Sequence, residues 1–266
     1  MTIAEKNWKS CFQTSEFFMQ PSLLTCFMTQ KWEDLLLLHW PVPIDLLAST
    51  IPDDLELDLH EGKAWASVVG FKLSKLRIAP FSLIPWNDFW EVNLRTYVRD
   101  RNGRKGVWFY SLDSSDTFAV FGARTLYGLS YHKAEIIQHH SKKILGYDSK
   151  RKKFGNGASA YFEVELTEDS ETGAEQDSGE DVFLLERYRF WAKRTLNASS
   201  TSATVHHKPY RATRLLKAKY KGELFRSQGL PEPPETPPVV HYCRGFDVTA
   251  SAPSWLCGIA GQANQR

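Results

Sequence analysis

Residues 89 to 99 read Phe-Trp-Glu-Val-Asn-Leu-Arg-Thr-Tyr-Val-Arg and alternate in character. Side chains on a strand point to opposite faces with period two. Trp90, Val92, Leu94 and Val98 therefore fall on an apolar face, and Glu91, Asn93, Arg95, Tyr97 and Arg99 on a polar one. These polar residues are the types that recognise polar ligands, not the Lys, Ser and Thr of an ordinary solvated face. Turned into a barrel, they would hold a small organic anion. Arg95 would grip a carboxylate with two parallel N–H bonds, Glu91 would orient a proton or shuttle it, and Asn93 and Tyr97 would line the wall. The same residues also fit an internal Glu–Arg ion pair or an exposed strand face.

Other reactive types lie downstream. Tyr131 and Lys133 share a face if that segment is extended, roughly 6.5–7 Å apart, so Lys133 is a candidate reactive amine. Arg124 is either a second cation for the anion or the partner of Asp113 or Asp116. Ser111, Asp113 and His132 could be written as a hydrolase triad, but no G-x-S-x-G elbow accompanies them. The histidines include the adjacent pairs His139-His140 and His206-His207, whose side chains face opposite ways on a strand, and no H-E-x-x-H is present. No metal and no cofactor are expected. His39, beside Trp40, is expected to be a buried structural residue.

Composition narrows the function classes. Hydrophobic residues make up 42% and charged residues 24%, as in an ordinary globular protein. A net charge of +2 is too small to imply a nucleic-acid partner. The basic run Lys150-Arg151-Lys152-Lys153 reads as a solvated turn. The longest apolar run, Leu35 to Leu38, is far short of a membrane span, and the N-terminus lacks a signal-peptide plan. Cys11, Cys26, Cys243 and Cys257 form no C-x-x-C pair, which suits a reduced, cytoplasmic protein, with a Cys11–Cys26 pairing left open. No residue fixes an oligomeric state.

The elements that must position these groups are mostly strands. Residues 1–30 read as an N-terminal extension, 31–250 as a single domain and 251–266 as a tail. A strand is expected over 35–42, then a short helix over 43–49 opened by proline. A hairpin is expected over 55–60 and 63–73 around Glu61-Gly62. The strand at 89–99 should return through Asn102-Gly103 into 106–112. A helix capped by Ser114 or Ser115 should bury Phe118, Ala119, Gly122 and Leu126 and stop at Gly128. Strands follow at 131–139, 144–150 and 160–166. The acidic stretch 168–181 reads as a mobile loop, the next segment as a helix with Leu184, Leu185, Tyr188 and Trp191 on one face. Residues 204–207 read as extended and 239–248 as the last strand. Such a string indicates an α+β, β-rich fold with an antiparallel or mixed sheet that closes or folds over.

Several words of the sequence resemble one family. They are His39-Trp40-Pro41-Val42, Gly62-Lys63-Ala64-Trp65, Glu91 to Val98, Gly106 to Asp113 and Ala123-Arg124, then Leu185-Glu186-Arg187-Tyr188 and His206 to Tyr210. In order, from about Trp32 to Val248, they resemble the YqjF-like family of uncharacterised bacterial conserved proteins, grouped with the acetoacetate-decarboxylase-like superfamily. The resemblance implies a closed or partly open β-barrel with a few short helices and an internal cavity. It implies no activity. In the true decarboxylases a Tyr-Gly-Tyr-Pro-Lys-Lys-Leu-Ala segment carries the Schiff-base lysine. The similar segment here is Tyr127-Gly128-Leu129-Ser130-Tyr131-His132-Lys133-Ala134. Tyr131 stands where the reactive lysine belongs and His132 where its neighbour belongs. Glu91 resembles the cavity glutamate. A phenol cannot form an imine, so this departure argues against Schiff-base decarboxylation. It leaves two other uses of the wall: a binding site including Arg124 and His132, or a lyase, isomerase or hydrolase using Glu91 and Tyr131 as acid and base.

Overall fold

The computed structural model describes residues 27–254 except 80, 82, 84, 85, 153–156, 177 and 194–199. Of the expected N-terminal extension, residues 1–26 lie outside the described residues, as do Cys11, Cys26 and Cys257, whereas Met28–Gln30 belong to the first strand rather than to an extension; Cys243 is buried and forms no disulfide.

The chain forms β1 (Met28–Val42), α1 (Ile44–Ala48), β2 (Leu55–Leu57), β3 (Ala64–Ile78), β4 (Phe89–Asp100) and β5 (Lys105–Ser114). It continues through α2 (Thr117–Tyr127), β6 (Tyr131–His140), β7 (Ile144–Arg151), β8 (Ser159–Glu165), β9 (Ala174–Glu175) and α3 (Gly179–Leu185). The last elements are β10 (Arg189–Lys193), β11 (Ser200–His207), β12 (Arg211–Leu215), β13 (Ala218–Gly222) and β14 (Val239–Ala250).

Hydrogen bonding runs from β4 through β5, β10, β11, β14, β1 and β3 and back to β4. The ring is held by long ladders on the β14–β1–β3–β4–β5 side and by short ones elsewhere. β5 and β10 pair only at Val107–Phe190 and Trp108–Trp191. The result is a partly open barrel. One edge of β5 is divided: its first half takes β10, and its second half takes β6 in parallel at Leu112–Tyr131. From there β6, β7, β8 and β13 continue as an antiparallel wing.

The alternation of each barrel strand decides what lies where. Leu36, Leu38, Ala66, Val68, Val92, Leu94, Val98 and Tyr242 face outward into the main core, against Ile136, Leu145, Tyr147, Phe162 and Tyr220 of the wing. Gly70 permits this approach, because a Cβ there would come within 2.7 Å of Phe162 and Tyr147. The opposite faces of the same strands look into the barrel. There the apolar residues form separate clusters around Leu37, Val69 and Tyr210, around Leu112 and Tyr131, and around Trp65, Tyr97 and Leu184. Val120 and Tyr127 of α2 pack on the second cluster, and Phe183 and Leu184 of α3 on the third.

The β4–β5 hairpin closes at Asn102-Gly103 as expected, with Gly103 at φ 74°. Several expectations need correction. Glu61 and Gly62 do turn at positive φ, but β2 pairs with Val98–Asp100 of β4 rather than with β3. Asp116, not a serine, caps α2 by accepting from the Ala119 amide at 2.6 Å. Phe118 is 75% exposed, and Val120 and Tyr127 form the buried face instead. The acidic stretch 168–181 is not wholly loop: it carries β9 and starts α3, whose first turn buries Asp181. The helix that follows ends at Leu185, so Trp191 sits on β10, not on a helix face. The basic run is not simply a solvated turn: Arg151 is buried in β7, paired with Asp113 at 2.7 Å.

Candidate functional site

β4 places Glu91, Asn93, Arg95 and Tyr97 on one face because they are spaced by two, and that face is the barrel interior. All four are at least nine-tenths buried. Across β3, Phe71, Val69 and Ser67 stand opposite Glu91, Asn93 and Arg95, so an apolar or small residue backs each of the three, and Trp65 packs in one cluster with Tyr97. The parallel junction of β5 and β6 brings Tyr131 beside the same wall. Its hydroxyl donates to Glu91 Oε2 at 2.5 Å, and Asn93 Nδ2 donates to Glu91 Oε1 at 3.1 Å. Both carboxylate oxygens are thus occupied by neutral donors.

Burial is the main influence on Glu91 and raises its pKa from the usual carboxylate range to about 7. The Tyr131 and Asn93 hydrogen bonds oppose that rise, Asp113 behind the sheet adds to it, and Arg95 opposes it. Glu91 therefore exchanges its proton near neutrality, where a general acid or base is most useful. Tyr131 is shifted upward as well: burial and the adjacent carboxylate hold its hydroxyl well above its usual value. It remains a donor.

Arg95 is the group with the fewest hydrogen bonds on this wall: its Nε and Nη2 are buried and make none among the described residues. These two nitrogens form one edge of the guanidinium fork, the edge that receives a carboxylate bidentately. Glu91 does not occupy it, because its oxygens are turned to Tyr131 and Asn93. The Tyr97 ring lies 6.0 Å from Arg95 Cζ, and the Glu91 carboxylate acts on the guanidinium through charge without a hydrogen bond. Asn93 Oδ1 is also buried and lacks a donor. Leaving a charged donor unpaired inside a protein costs several kcal/mol, about 3–5 when a buried pair is broken.

Tyr97 is held from behind. Arg187 lies 5.1 Å from its ring and 4.2 Å from that of Phe183, and is paired with buried Asp58 at 2.6 Å. On the far side His207 is stacked between Tyr188 and Phe246, each 4.6 Å away, with Tyr210 at its edge. Burial pushes the His207 pKa down to about 4, so this wall is neutral. Two hollows of about 400 Å³ lie elsewhere, one against α1 and β2, the other between Phe27, Leu76, Trp86 and Leu126.

The structure thus brings together Glu91, Asn93, Arg95, Tyr97 and Tyr131. It leaves three sequence candidates outside. His132 points to the other side of the sheet with Asp113, its pKa lowered to about 4 by burial and by Arg151. Arg124 is exposed and donates to the Tyr131 carbonyl at 2.7 Å, neither entering the interior nor pairing with Asp113 or Asp116. Lys133 is engaged by the Ser115 carbonyl at the rim. Sequence reasoning missed Ser67, Asp58, Arg187, Asp181 and His241, and assigned His39 a structural place only. Their one signal was polarity inside apolar strand runs, such as His241 between Val240 and Tyr242.

Comparison with known proteins extends this geometry. Residues 29–247 match DUF2071, an uncharacterised conserved protein family. The uncharacterised protein YqjF of Bacillus subtilis (strain 168) is 34% identical over 222 residues, covering 83% of this chain and 89% of YqjF. Acetoacetate decarboxylase from Legionella pneumophila superposes with a TM-score of 0.57 at 12% identity, over 91% of this chain and 92% of that one. An acetoacetate decarboxylase-like enzyme from Sphingomonas wittichii RW1 gives 0.56 at 15%, over 90% and 98%. The enduracididine biosynthesis enzyme MppR complexed with pyruvate gives 0.56 at 11%, over 88% and 91%. At these identities the structural likeness establishes the fold.

Proposed function

The chain belongs to the DUF2071 family of uncharacterised conserved proteins, and from that footing we propose that it binds a small organic anion, an oxo or hydroxy carboxylate, at Arg95. The unpaired Nε–Nη2 edge of that buried guanidinium carries the reading. The carboxylate would satisfy both nitrogens, and a hydroxyl or enol on the same ligand would supply the donor that Asn93 Oδ1 lacks. A neighbour of the same fold, MppR, has been seen complexed with pyruvate, which is of this chemical class. Both nitrogens are sealed from solvent, so an anion enters only when the surrounding side chains open.

The reading excludes imine chemistry. A phenol faces Glu91, and the amine of Lys133 is spent on a backbone carbonyl. A second reading, an enzyme working through Glu91 and Tyr131 as acid and base, is favoured by the Glu91 pKa of about 7. A scaffold built on an internal Glu91–Arg95 ion pair is disfavoured, because the carboxylate is bonded to Tyr131 and Asn93 instead.

Thermal shift with pyruvate, lactate and acetoacetate tests the binding. A ligand at a hundredfold excess over Kd stabilises by about 2.7 kcal/mol, and Arg95→Met should abolish the shift. A shift that survives in Arg95→Met refutes the site. Glu91→Gln separates the two readings, since it should stop any turnover while binding persists. Borohydride with acetoacetate should leave Lys133 unmodified; an adduct there overturns the exclusion of imine chemistry.

A further inference from the structure

Behind Tyr97 lies a polar chain that anion binding does not use. His39 on β1, Ser67 on β3 and His241 on β14 are fully buried. Ser67 stands opposite both His39 and Arg95 in the sheet, so all share the interior face. Tyr97 Oη lies 3.0 Å from the Leu184 carbonyl and 2.7 Å from Ser67 Oγ. Ser67 Oγ lies 2.7 Å from His39 Nδ1, and His39 Nε2 lies 3.2 Å from His241 Nδ1. His241 Nε2 ends the chain 2.9 Å from Asp181 Oδ1.

The protons of this chain can be counted. The Leu184 carbonyl and an ionised Asp181 only accept. Five hydrogen bonds connect the groups, and each needs one proton. Tyr97, Ser67 and two neutral imidazoles bring four between them. In the neutral form, then, one buried link sets lone pair against lone pair. A single additional proton completes the chain in one direction. Tyr97 donates to Leu184, Ser67 to Tyr97, His39 Nδ1–H to Ser67, and His241 donates from Nδ1 to His39 and from Nε2 to Asp181. The 3.2 Å approach of His39 Nδ1 to Tyr97 shares the proton already directed to Ser67.

The surrounding charges say where the additional proton resides. Burial is the main influence holding His39 well below its usual pKa, and His241, Arg95 and Arg214 act in the same sense. His39 stays neutral. Asp181 is held low, chiefly by its bond from His241, so it stays ionised. The charge therefore sits on His241 against Asp181. Arg214 approaches Asp181 at 3.3 Å but is shared with Glu180 at 3.0 Å, and Arg187 over Tyr97 is neutralised by Asp58.

We propose that Tyr97, Ser67, His39, His241 and Asp181 form a second acid–base centre, which holds one proton beyond its neutral complement and offers it through the Tyr97 hydroxyl to the Arg95 side of the barrel. Delivery requires the Tyr97 hydroxyl to turn from the Leu184 carbonyl toward the acceptor, and is then balanced. The Tyr97 proton passes to a basic atom of the acceptor, the Ser67 proton replaces it, and the His39 Nδ1 proton moves to Ser67. The His241 Nδ1 proton then moves to His39 Nε2, leaving His241 neutral and still bonded to Asp181. An anion held at Arg95 would lie along β4 between Glu91 and this donor, the arrangement needed to move a proton from one atom of a carbon acid to another. The recipient rests on the anion reading above; the proton count does not.

The test needs no ligand. In protein labelled with ¹⁵N-histidine, at about pH 7, long-range ¹H–¹⁵N spectra should show one buried imidazolium and one buried neutral Nδ1–H imidazole. Asp181→Asn keeps both rings and should convert the imidazolium to a neutral form. Neutral rings at both His39 and His241 in the parent protein overturn the proposal, as does an imidazolium that Asp181→Asn leaves unchanged. An imidazolium together with failure of every carboxylate to bind would refute the anion site alone.

Discussion

Glu91→Gln should change how the stability of this protein depends on pH. Burial raises the folded pKa of Glu91 to about 7, against 4.5 for the free side chain. The folded state thus binds the Glu91 proton more tightly than the unfolded chain does. The stabilisation is fully present below the unfolded pKa and is lost as pH rises through the folded one. Between about pH 5 and about pH 9 the loss amounts to about 2.5 kcal/mol, most of it below about pH 7. Glutamine has no proton to lose, so the variant should lack this slope. Urea unfolding at several pH values, in parent and variant, measures the difference directly. Asp113 is also raised by burial, against the pull of Arg151, and its slope cancels because both proteins carry it. Parallel stability curves would refute the raised pKa, and with it the claim that Glu91 exchanges its proton near neutrality.

Tyr131→Phe removes a bond that favours the Glu91 carboxylate, so the Glu91 transition should move to higher pH, followed by the carboxyl ¹³C shift. Arg151→Met leaves Asp113 buried without its guanidinium and should cost about 3–5 kcal/mol in urea unfolding; Arg151→Met with Asp113→Leu should recover much of it. Gly245 sits at φ 127°, and a Cβ there would meet the Trp32 carbonyl at 2.0 Å. Gly245→Ala should therefore destabilise the β1–β14 pairing by more than 1 kcal/mol, seen as faster amide exchange at Glu33 and Leu35.

The local order of the strands was legible because the sequence repeats every two residues. Alternation in Phe89–Arg99 announced both faces of β4, and Asn102-Gly103 announced the turn that follows. The helix after β5 was legible in position but not in orientation. Its aromatic residues are spaced as an inner face would be, yet Phe118 and Phe121 are exposed, because Val120 and Tyr127 are the ones that meet β6 and β10. The stretch 168–181 looked structureless by composition. Asp181 was buried only when His241, some sixty positions later, arrived beside it.

The sequence by itself determined which residues would share a face, since backbone pleat is a local property. It therefore put Glu91, Asn93, Arg95 and Tyr97 together before any fold was known. Whether that face met water, a partner or the inside of a barrel depended on strand order. So did the choice of neighbours: Tyr131 rather than Arg95 for Glu91, and Ser67, His39, His241 and Asp181 behind Tyr97. These groups come from six separate elements, joined by pairings between residues far apart in the chain. Only tertiary structure could remove the water around them, and that removal is what brings Glu91 to about 7 and leaves one edge of the Arg95 guanidinium unmatched.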